Sequence, residues 1–141
     1  MNYKLIFILA ATIIISSCEM TEKEKVPQSV VATFLNKYPD EDDANWVKDD
    51  SGLWEAQFDR NGEDYRAGFK ENGLWVETEL TLAQNDIPKS VNDAVTRDFK
   101  NQKIKEVELV NHFSKGVFYK VEFMNDNSTE QVNYKEDGTR L

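Results

Sequence analysis

Side chains that could support catalysis or bind a metal are few in this sequence. His112 is the only histidine, so neither a histidine-based metal site nor a nucleophile–base–acid triad can be assembled. It lies near a predicted turn, where a solvated loop histidine is a simpler interpretation than a catalytic one. The sequence also lacks a glycine-rich phosphate loop. We therefore predict a protein that is not an enzyme and uses no cofactor or metal.

Three groups of acidic residues invite a chemical role, and each has a simpler explanation. The run Asp40–Asp43 offers oxygen ligands but lacks the spacing and the glycine of an EF-hand loop, so a solvated acidic turn is favoured. The segment Asp59–Asp64 resembles part of a calcium loop, but strand patterns flank it and indicate a hairpin. Glu77 and Glu79 lie two residues apart, where an exposed strand face is favoured over an acid–base pair.

The net charge indicates which partners this protein could bind, and the aromatic content indicates whether it folds. The 141 residues include 26 Asp and Glu against 17 Lys and Arg, a formal net charge of -9. This acidity repels nucleic acid and anionic lipid, and it favours solubility or a basic partner. Aromatic residues make up 11% of the chain, too many for a disordered protein. Trp46 and Trp54 are expected in a core rather than on a carbohydrate-binding surface. For Trp75 both interpretations are kept, because this residue adjoins a predicted turn.

The amino-terminal residues are typical of a targeting segment. Leu5–Ile15 is an uncharged apolar run of eleven residues, whereas a membrane-spanning helix needs about 20. It leads into Ile15–Cys18, which resembles the lipobox of bacterial lipoproteins and contains the only cysteine. We predict a signal peptide over residues 1–17, lipid on Cys18 and a polar tether over 18–25. The alternative is an ordinary secretory signal with a chance cysteine.

A lipid on Cys18 would anchor the protein in the cell envelope. The expected location is the outer membrane, on its periplasmic side, or the cell surface. A single cysteine also excludes a disulfide bond within the chain.

Four short patterns recur in the same order and predict two copies of one unit, residues 26–84 and 85–141. The spacing between copies is larger at the later patterns, which indicates a short insertion near residues 112–115. The two units are expected to form one globular domain. The recurring segments are Val26–Val30 with Ile87–Val91, Trp54–Phe58 with Tyr119–Phe123, Ala67–Phe69 with Val132–Tyr134, and Lys70–Gly73 with Lys135–Gly138.

Each unit is predicted to contain one helix followed by antiparallel strands. Pro27 and Pro88 suit the first turn of a helix, and apolar residues follow at helical spacing. Asn61-Gly62 indicates a tight hairpin. The apolar stripes are Val30, Val31, Phe34, Leu35 and Tyr38 in the first helix, and Val91, Ala94, Val95 and Phe99 in the second. The predicted strands are a short one at Trp46 and Val47, then 53–59, 65–69, 74–82, 104–110, 117–124 and 129–135, with Asn125–Asn127 as a turn.

The predicted fold class is α+β, a tandem repeat of one helix plus three or four antiparallel strands, with the helices packed on one face of the sheet. The last strand of the second copy is expected to be missing or only begun, which leaves an open sheet edge. The other face would be polar and is the predicted binding surface. Its residues are Glu55, Gln57, Arg66, Lys70, Lys120, Glu122, Gln131, Asn133 and Lys135, with Leu53 and Phe118 as possible edge contacts.

These core and turn motifs resemble a known bacterial family. Val26-Pro27, Tyr38-Pro39, Trp54–Phe58 and Asn72–Trp75, together with Trp46 and Glu77–Glu79, are similar to the PepSY-like lipoproteins. That family is also described as resembling the β-lactamase-inhibitor protein. The resemblance spans residues 26–138 and implies a tandem repeat of helix plus antiparallel sheet. The related inhibitor grips an enzyme with its open sheet face, and PepSY domains are thought to restrain peptidases.

The resulting hypothesis is a membrane-tethered binding module without catalytic activity. Its partner would be a protein or peptide of the envelope, and restraint of a hydrolase is the sharpest version of the hypothesis. No residue set is carried over from the family as an inhibitory hot spot. The alternatives are a small-ligand carrier or enzyme that uses a pocket between the repeats, or a structural component of the envelope.

Overall fold

A computed structural model of the protein describes residues 24–124 and 130–141. The predicted signal peptide, the lipobox and most of the predicted tether lie outside these residues, as does the predicted turn at Asn125–Asn127. The described residues form an α+β fold with one antiparallel sheet of seven strands and two α-helices. In chain order the elements are α1 (Gln28–Lys37), β1 (Asn45–Lys48), β2 (Trp54–Arg60), β3 (Glu63–Phe69), β4 (Trp75–Thr81), a short 3-10 turn (Gln84–Asp86), α2 (Lys89–Asp98), β5 (Ile104–His112), β6 (Gly116–Phe123) and β7 (Glu130–Tyr134).

The sheet is a meander in which every strand pairs with the next strand in the sequence. The order is β1-β2-β3-β4-β5-β6-β7, and all neighbours are antiparallel. The connection between β4 and β5 contains α2, and β4 is then joined directly to β5 through the pairs from Glu77↔His112 to Thr81↔Glu108. Beyond β7, a single bridge pairs Tyr134 with Arg140, in line with the expectation of a strand that is only begun.

Both helices begin directly after the proline that was predicted to lie in their first turn. Pro27 and Pro88 occupy the N-cap positions, where a missing backbone N–H breaks no helical hydrogen bond. Each helix carries a basic residue in its last turn, Lys37 or Arg97, beside the partial negative charge of the helix end. One residue of the predicted stripe was misplaced, because Leu35 is 40% exposed.

The β2–β3 hairpin confirms the predicted Asn-Gly turn. Asn61 and Gly62 have φ of 59° and 82°, the left-handed values that a type I′ turn requires at both central positions. The backbone N–H of Gly62 donates to Asp59 Oδ1 at 3.0 Å. The acidic segment Asp59–Asp64 therefore forms the end of a hairpin, with the turn at its centre.

Two apolar clusters form the core, one under each helix. Aromatic rings dominate the first cluster, in which Phe34 contacts both Tyr38 and Phe58, with ring centroids 5.3 and 5.2 Å away. The first cluster consists of Val30, Phe34, Tyr38, Trp54, Ala56, Phe58, Ala67 and Phe69. The second consists of Val91, Ala94, Val95, Val107, Tyr119, Val121, Phe123, Val132 and Tyr134. Trp54 is thus a core residue, and Trp46 packs against the first cluster.

Three sequence predictions, one about the end of a strand and two about the edge of the sheet, were wrong. The strand that begins at Ile104 continues to His112, so this histidine ends a strand and its pairing with Gly116 opens a hairpin. Leu53 directly precedes β2 and Phe118 lies within β6, and both strands are flanked by neighbours on each side. Neither residue is at a sheet edge, and Phe118 is 3% exposed.

Within residues 24–124 and 130–141, neither helix combines the length and the hydropathy that a membrane span requires.

Candidate binding face of the sheet

The strand register places a set of mostly charged side chains on one side of the sheet. Residues that pair directly across an antiparallel ladder point to the same side, and the register runs from Gln57 to Arg66, from Arg66 to Glu79 and from Glu79 to Val110. We call this side the charged face. Its polar members include Glu55, Gln57, Arg66, Glu77, Glu79, Glu106, Glu108, Lys120, Glu122, Gln131 and Asn133, which alternate along the strands with residues of the two core clusters.

Most of the predicted binding residues come together on the charged face. Glu55 and Gln57 are supplied by β2, Arg66 by β3, Lys120 and Glu122 by β6, and Gln131 and Asn133 by β7. The other two predicted residues lie just outside the strands of this face. Lys70 and Lys135 each follow the last residue of a strand and belong to turns.

A network of ion pairs holds the centre of this face together across four strands. Glu108 is fully buried and pairs with Arg66 and, at 2.6 Å, with Lys120. Glu79, also buried, pairs with Arg66 at 3.2 Å and with Lys120. Arg66 additionally lies 3.6 Å from Glu106. Buried carboxylates persist as charges only when cations offset the loss of hydration, so Arg66 and Lys120 are committed to this network.

Glu77 lies beside the network but outside it. Among the described residues, no lysine or arginine nitrogen is within 4.0 Å of its carboxylate. Burial raises the pKa of Glu77 above its ordinary value, and the negative charge of Glu79 raises it further. The positive charges of Lys120 and Lys115 oppose this shift. The fold therefore keeps a carboxylate in a place that disfavours its charge.

Sequence reasoning missed the buried part of the charged face. Glu79 was expected on an exposed face, but it is 9% exposed. Glu106 and Glu108 were not predicted to lie on the binding face, although they alternate with Val107 and Leu109 in a predicted strand. Extending the polar-face alternation to β5 would have found them. The face also has an apolar pair, because Val110 and Phe118 lie opposite each other and are buried.

A comparison with known protein families matches most of this sheet, together with α2. Residues 50–139 match the model of the PepSY-like family, which is described as beta-lactamase-inhibitor-like. The chain belongs to this PepSY-like family. The matched segment runs from the residues that precede β2 to the turn after β7, so it includes every strand except β1. No curated protein matches the sequence significantly.

Solved structures of Bacteroides proteins share the PepSY-like fold. A DUF2874 family protein from Bacteroides ovatus is 25% identical, with a TM-score of 0.71 over 84% of this chain and 86% of that chain. A BLIP-like protein from Bacteroides fragilis is 18% identical, with a TM-score of 0.70 over 86% of both chains. A protein from Bacteroides eggerthii, described as periplasmic, is 21% identical with a TM-score of 0.70 over 84% and 87% of the two chains.

His112 has a structural role in this PepSY-like chain. Its Nδ1 atom accepts hydrogen bonds from the backbone N–H groups of Ser114 and Lys115 at 3.1 and 3.3 Å. The ring stacks on Phe113 with centroids 4.9 Å apart. The Ser114 hydroxyl oxygen also lies 3.3 Å from Nδ1, so the imidazole closes the β5–β6 turn with one nitrogen.

The other residues that the sequence suggested for a chemical role make contacts that stabilise the fold. In the acidic run after α1, Glu41 lies 3.7 Å from Arg60. Trp75 donates its indole N–H to Thr78 Oγ1 at 3.0 Å, and Lys37 Nζ lies 4.0 Å from the centroid of its ring. Across the part of the chain that the structure describes, no three His, Cys, Asp or Glu side chains are grouped so that they could hold a metal ion.

A groove lies on the opposite side of the sheet from the charged face. It has a volume of about 300 Å³, at the lower end of the range for small-molecule sites. Leu80 and Leu109 pair with each other in its floor, and Tyr38 and Thr78 form a hydrogen bond at its side. The lining residues are Lys37, Tyr38, Tyr65, Thr78, Leu80, Leu109 and Asn111.

Proposed function

We propose that this protein is a non-catalytic binding module that docks a protein or peptide on its charged face. The observation that carries the proposal is the state of Glu77, which is half-buried beside Glu79 and has no lysine or arginine nitrogen within 4.0 Å among residues 24–124 and 130–141. Placing a charge where folding disfavours it costs stability. Such a cost is typical of a functional site, where a partner supplies the missing interaction.

The proposal includes a lipid anchor on Cys18 that tethers the module in the cell envelope. It is supported by the lipobox-like Ile15–Cys18 at the end of the apolar run. A structural neighbour is described as periplasmic, which fits an envelope location for this chain. The predicted tether, residues 18–25, would separate the folded region from the membrane.

The proposal also treats the fold as a tandem repeat with both helices on one face of the sheet. A row of paired residues that includes Tyr65, Leu80, Leu109 and Tyr119 crosses four strands and leads from the first core cluster to the second. In both proposed units, a serine of the helix donates a hydrogen bond to a backbone oxygen of a turn. Ser29 Oγ donates to the backbone oxygen of Glu71 at 3.2 Å, and Ser90 Oγ donates to that of Glu136.

A sharper form of the proposal is that the partner is a hydrolase that the module restrains. It is supported by the membership in a family described as beta-lactamase-inhibitor-like and by the fold shared with a BLIP-like protein. Both supports are likenesses of fold, and shared folds often carry different functions. The partner therefore has to be found by experiment.

Site-specific photo-crosslinking in intact cells tests the binding module. A photoreactive residue replaces Gln57, which is half-buried on the charged face, and a matched control replaces Asp93 on the exposed side of α2. We expect a discrete protein adduct from position 57 that is absent from position 93. Equal adducts from both positions, or none from position 57, would contradict the proposal.

A small-ligand carrier is the second candidate, because the groove on the opposite side combines an apolar floor with polar groups at its rim. A ligand held there would remain bound in mass spectra of the intact protein purified from its own membrane. Replacing Leu80 by phenylalanine fills part of the groove and should remove the ligand. Identical spectra of wild type and Leu80→Phe, both without added mass, would exclude a retained ligand.

A further inference from the structure

We propose that one end of the sheet is a membrane-contacting surface, with Leu74 and Phe113 inserted among the headgroups of a zwitterionic bilayer. This inference rests on the proposed lipid anchor at Cys18 and specifies how the anchored protein meets its membrane. Three observations support it: exposed apolar side chains on adjacent turns, the entry of the chain at the same end, and a tether that is shorter than the sheet.

Several turns lie together at this end because the sheet is an antiparallel meander. Successive strands run in opposite directions, so β1, β3, β5 and β7 all finish at the same end of the sheet. We call it the tether end. It consists of residues 49–53, 70–74, 113–115 and 135–139.

Two neighbouring turns of the tether end expose large apolar side chains. Leu74 is 59% exposed and Phe113 is 60% exposed. The backbone N–H of Phe113 donates to the oxygen of Val76 at 2.9 Å, and that of Lys70 donates to the oxygen of Leu74 at 2.8 Å. Lys70 Nζ also lies 5.9 Å from the centroid of the Phe113 ring. The two apolar side chains are therefore close to each other, unlike the singly scattered apolar residues of an ordinary surface.

The described chain begins at the tether end. Ser29, in the first turn of α1, donates to the backbone oxygen of Glu71 in the turn after β3. Before the helix, Glu24 pairs with Lys48 at 2.7 Å, and Lys48 is the last residue of β1. The segment that joins Cys18 to the folded region therefore reaches it at the end that exposes the apolar side chains.

The length of the tether limits how the molecule can be oriented. Cys18 precedes Glu24 by six residues, and six residues span at most about 22 Å. The nine residues of β5 span about 30 Å along the sheet. Because the sheet is longer than the tether, the molecule cannot stand upside down on its anchor. A lipid on Cys18 would thus keep the tether end beside the bilayer.

The charges at the tether end favour zwitterionic over anionic lipid. Lys70 and Lys115 can approach headgroup phosphates, but Glu71 and Glu136 lie in the same set of turns. The net charge of the chain, -9, also repels an anionic surface. Binding must therefore come from insertion of the apolar side chains, as it does for apolar residues that enter a membrane interface.

Contact through the tether end would leave the charged face accessible. The strands would stand upright on the bilayer, because the tether end is an end of the sheet and not one of its faces. The charged face would then be perpendicular to the membrane plane, where a partner can reach it from the side.

Quenching of a fluorescent label by nitroxide lipids tests this contact. Cys18 is the only cysteine, and its thiol carries the lipid in the anchored chain, so an introduced cysteine takes the label. Leu74→Cys and Phe113→Cys chains are labelled and inserted into phosphatidylcholine vesicles with a nitroxide near the top of one acyl chain. The control is Glu63→Cys, at the opposite end of the sheet where β3 begins. We expect at least threefold stronger quenching at positions 74 and 113 than at 63.

A second substitution separates the apolar contact from the effect of the anchor. With the label at position 74, Phe113→Ser should at least halve the quenching. Met124→Ser should leave it unchanged, because Met124 is similarly exposed, at 51%, but follows β6 at the opposite end. Addition of phosphatidylglycerol to the vesicles should not increase the quenching, since the contact does not depend on anionic lipid.

Equal quenching at positions 74, 113 and 63 overturns the inference. It is also overturned if the labels at 74 and 113 have blue-shifted emission but escape the nitroxide, because a protein partner or a second copy would then cover them. Failure of the anchor is a separate result: a wild-type chain without lipid refutes the anchor and the contact together. A chain that carries lipid but shows equal quenching rejects the membrane contact alone.

Discussion

The buried carboxylate of Glu108 shows how single residues set the character of the charged face. It is reached by one cation from β3 and one from β6, so its charge joins strands that are not neighbours of each other. Buried ion pairs contribute little net stability, but removing one partner leaves an unpaired buried charge. The network therefore fixes the positions of the face's side chains more than it adds to the free energy of unfolding.

Replacing Lys120 by methionine should destabilise the protein by about 3 kcal/mol, because Glu79 and Glu108 would then share Arg66 as their remaining partner. Methionine keeps most of the aliphatic stem, so the loss reports the charge. Urea unfolding followed by tryptophan fluorescence measures the change.

Lys105→Met is the matched control for this prediction. Lys105 forms a partly exposed pair with Glu122 at 3.0 Å, and exposed pairs contribute about 0–1 kcal/mol. Equal shifts of the urea midpoint in the two variants would show that the charge of Lys120 is not needed in the interior of the network.

Glu77→Gln should raise the stability of the protein at pH 7, with a gain that disappears in acid. Burial and Glu79 raise the folded pKa of Glu77 above its ordinary value of 4.5. The folded state then binds the proton more tightly than the unfolded state, so wild-type stability falls as pH rises from 4.5 through the folded pKa. The neutral glutamine avoids this loss.

Urea midpoints of wild type and Glu77→Gln at pH 4 and pH 7 check the sign. We expect the variant to be the more stable protein at pH 7 and the two midpoints to converge at pH 4. A variant that is less stable than wild type at pH 7 would mean that the carboxylate makes a stabilising interaction in the folded state.

At the scale of elements, each helix is seated on a turn, α1 on the turn after β3 and α2 on the turn after β7. A Cβ atom on Gly73 would lie 2.6 Å from the backbone oxygen of Ser29, and one on Gly138 would lie 2.5 Å from that of Ser90. Both glycines also have positive φ, 86° and 80°. The turn and the helix can approach this closely only because neither glycine carries a side chain.

Gly73→Ala should therefore destabilise the protein more than Gly62→Ala. Both positions have a left-handed backbone, which costs a non-glycine residue about 1–2 kcal/mol. A Cβ on Gly62 meets nothing within 4 Å, so that variant should lose only the conformational term. At Gly73 the helix must also shift, which should roughly double the loss. Thermal unfolding by circular dichroism would show this order, and similar melting temperatures would mean that the helix adapts freely.

The elements themselves could be predicted well from local patterns. Proline before an apolar stripe located both helices, and alternation with Asn-Gly turns located the strands to within one or two residues. The errors lie where tertiary context decides. Leu35 falls on the edge of the helical stripe, and His112 continues a strand because β4 is long enough to pair with it.

The candidate site was less predictable than the fold, for a physical reason. Alternation shows which residues share a side of one strand, but register decides which residues of different strands meet. The pairing of Glu55 with Gly68 and of Gly68 with Glu77 depends on that register. So does the burial of Glu108, since a glutamate in an alternating strand is normally solvated.

At the scale of the whole molecule, the proposed anchor determines where the charged face can act. Replacing Cys18 by serine should abolish incorporation of an alkyne-tagged fatty acid during growth, because lipid would be attached to that thiol. Ser16→Ala keeps a small residue in the lipobox-like segment and should retain the label. Labelling of the Cys18→Ser variant at the wild-type level would refute the anchor.

The meander order bears on how the chain acquires its structure as it emerges amino-terminus first. Each new strand arrives to find its hydrogen-bonding partner already in place, and α1 needs only the strands that directly follow it. Such short sequence separations favour rapid folding and limit the time for which an unpaired strand is available for misassembly. Folding can thus advance hairpin by hairpin in the direction of synthesis.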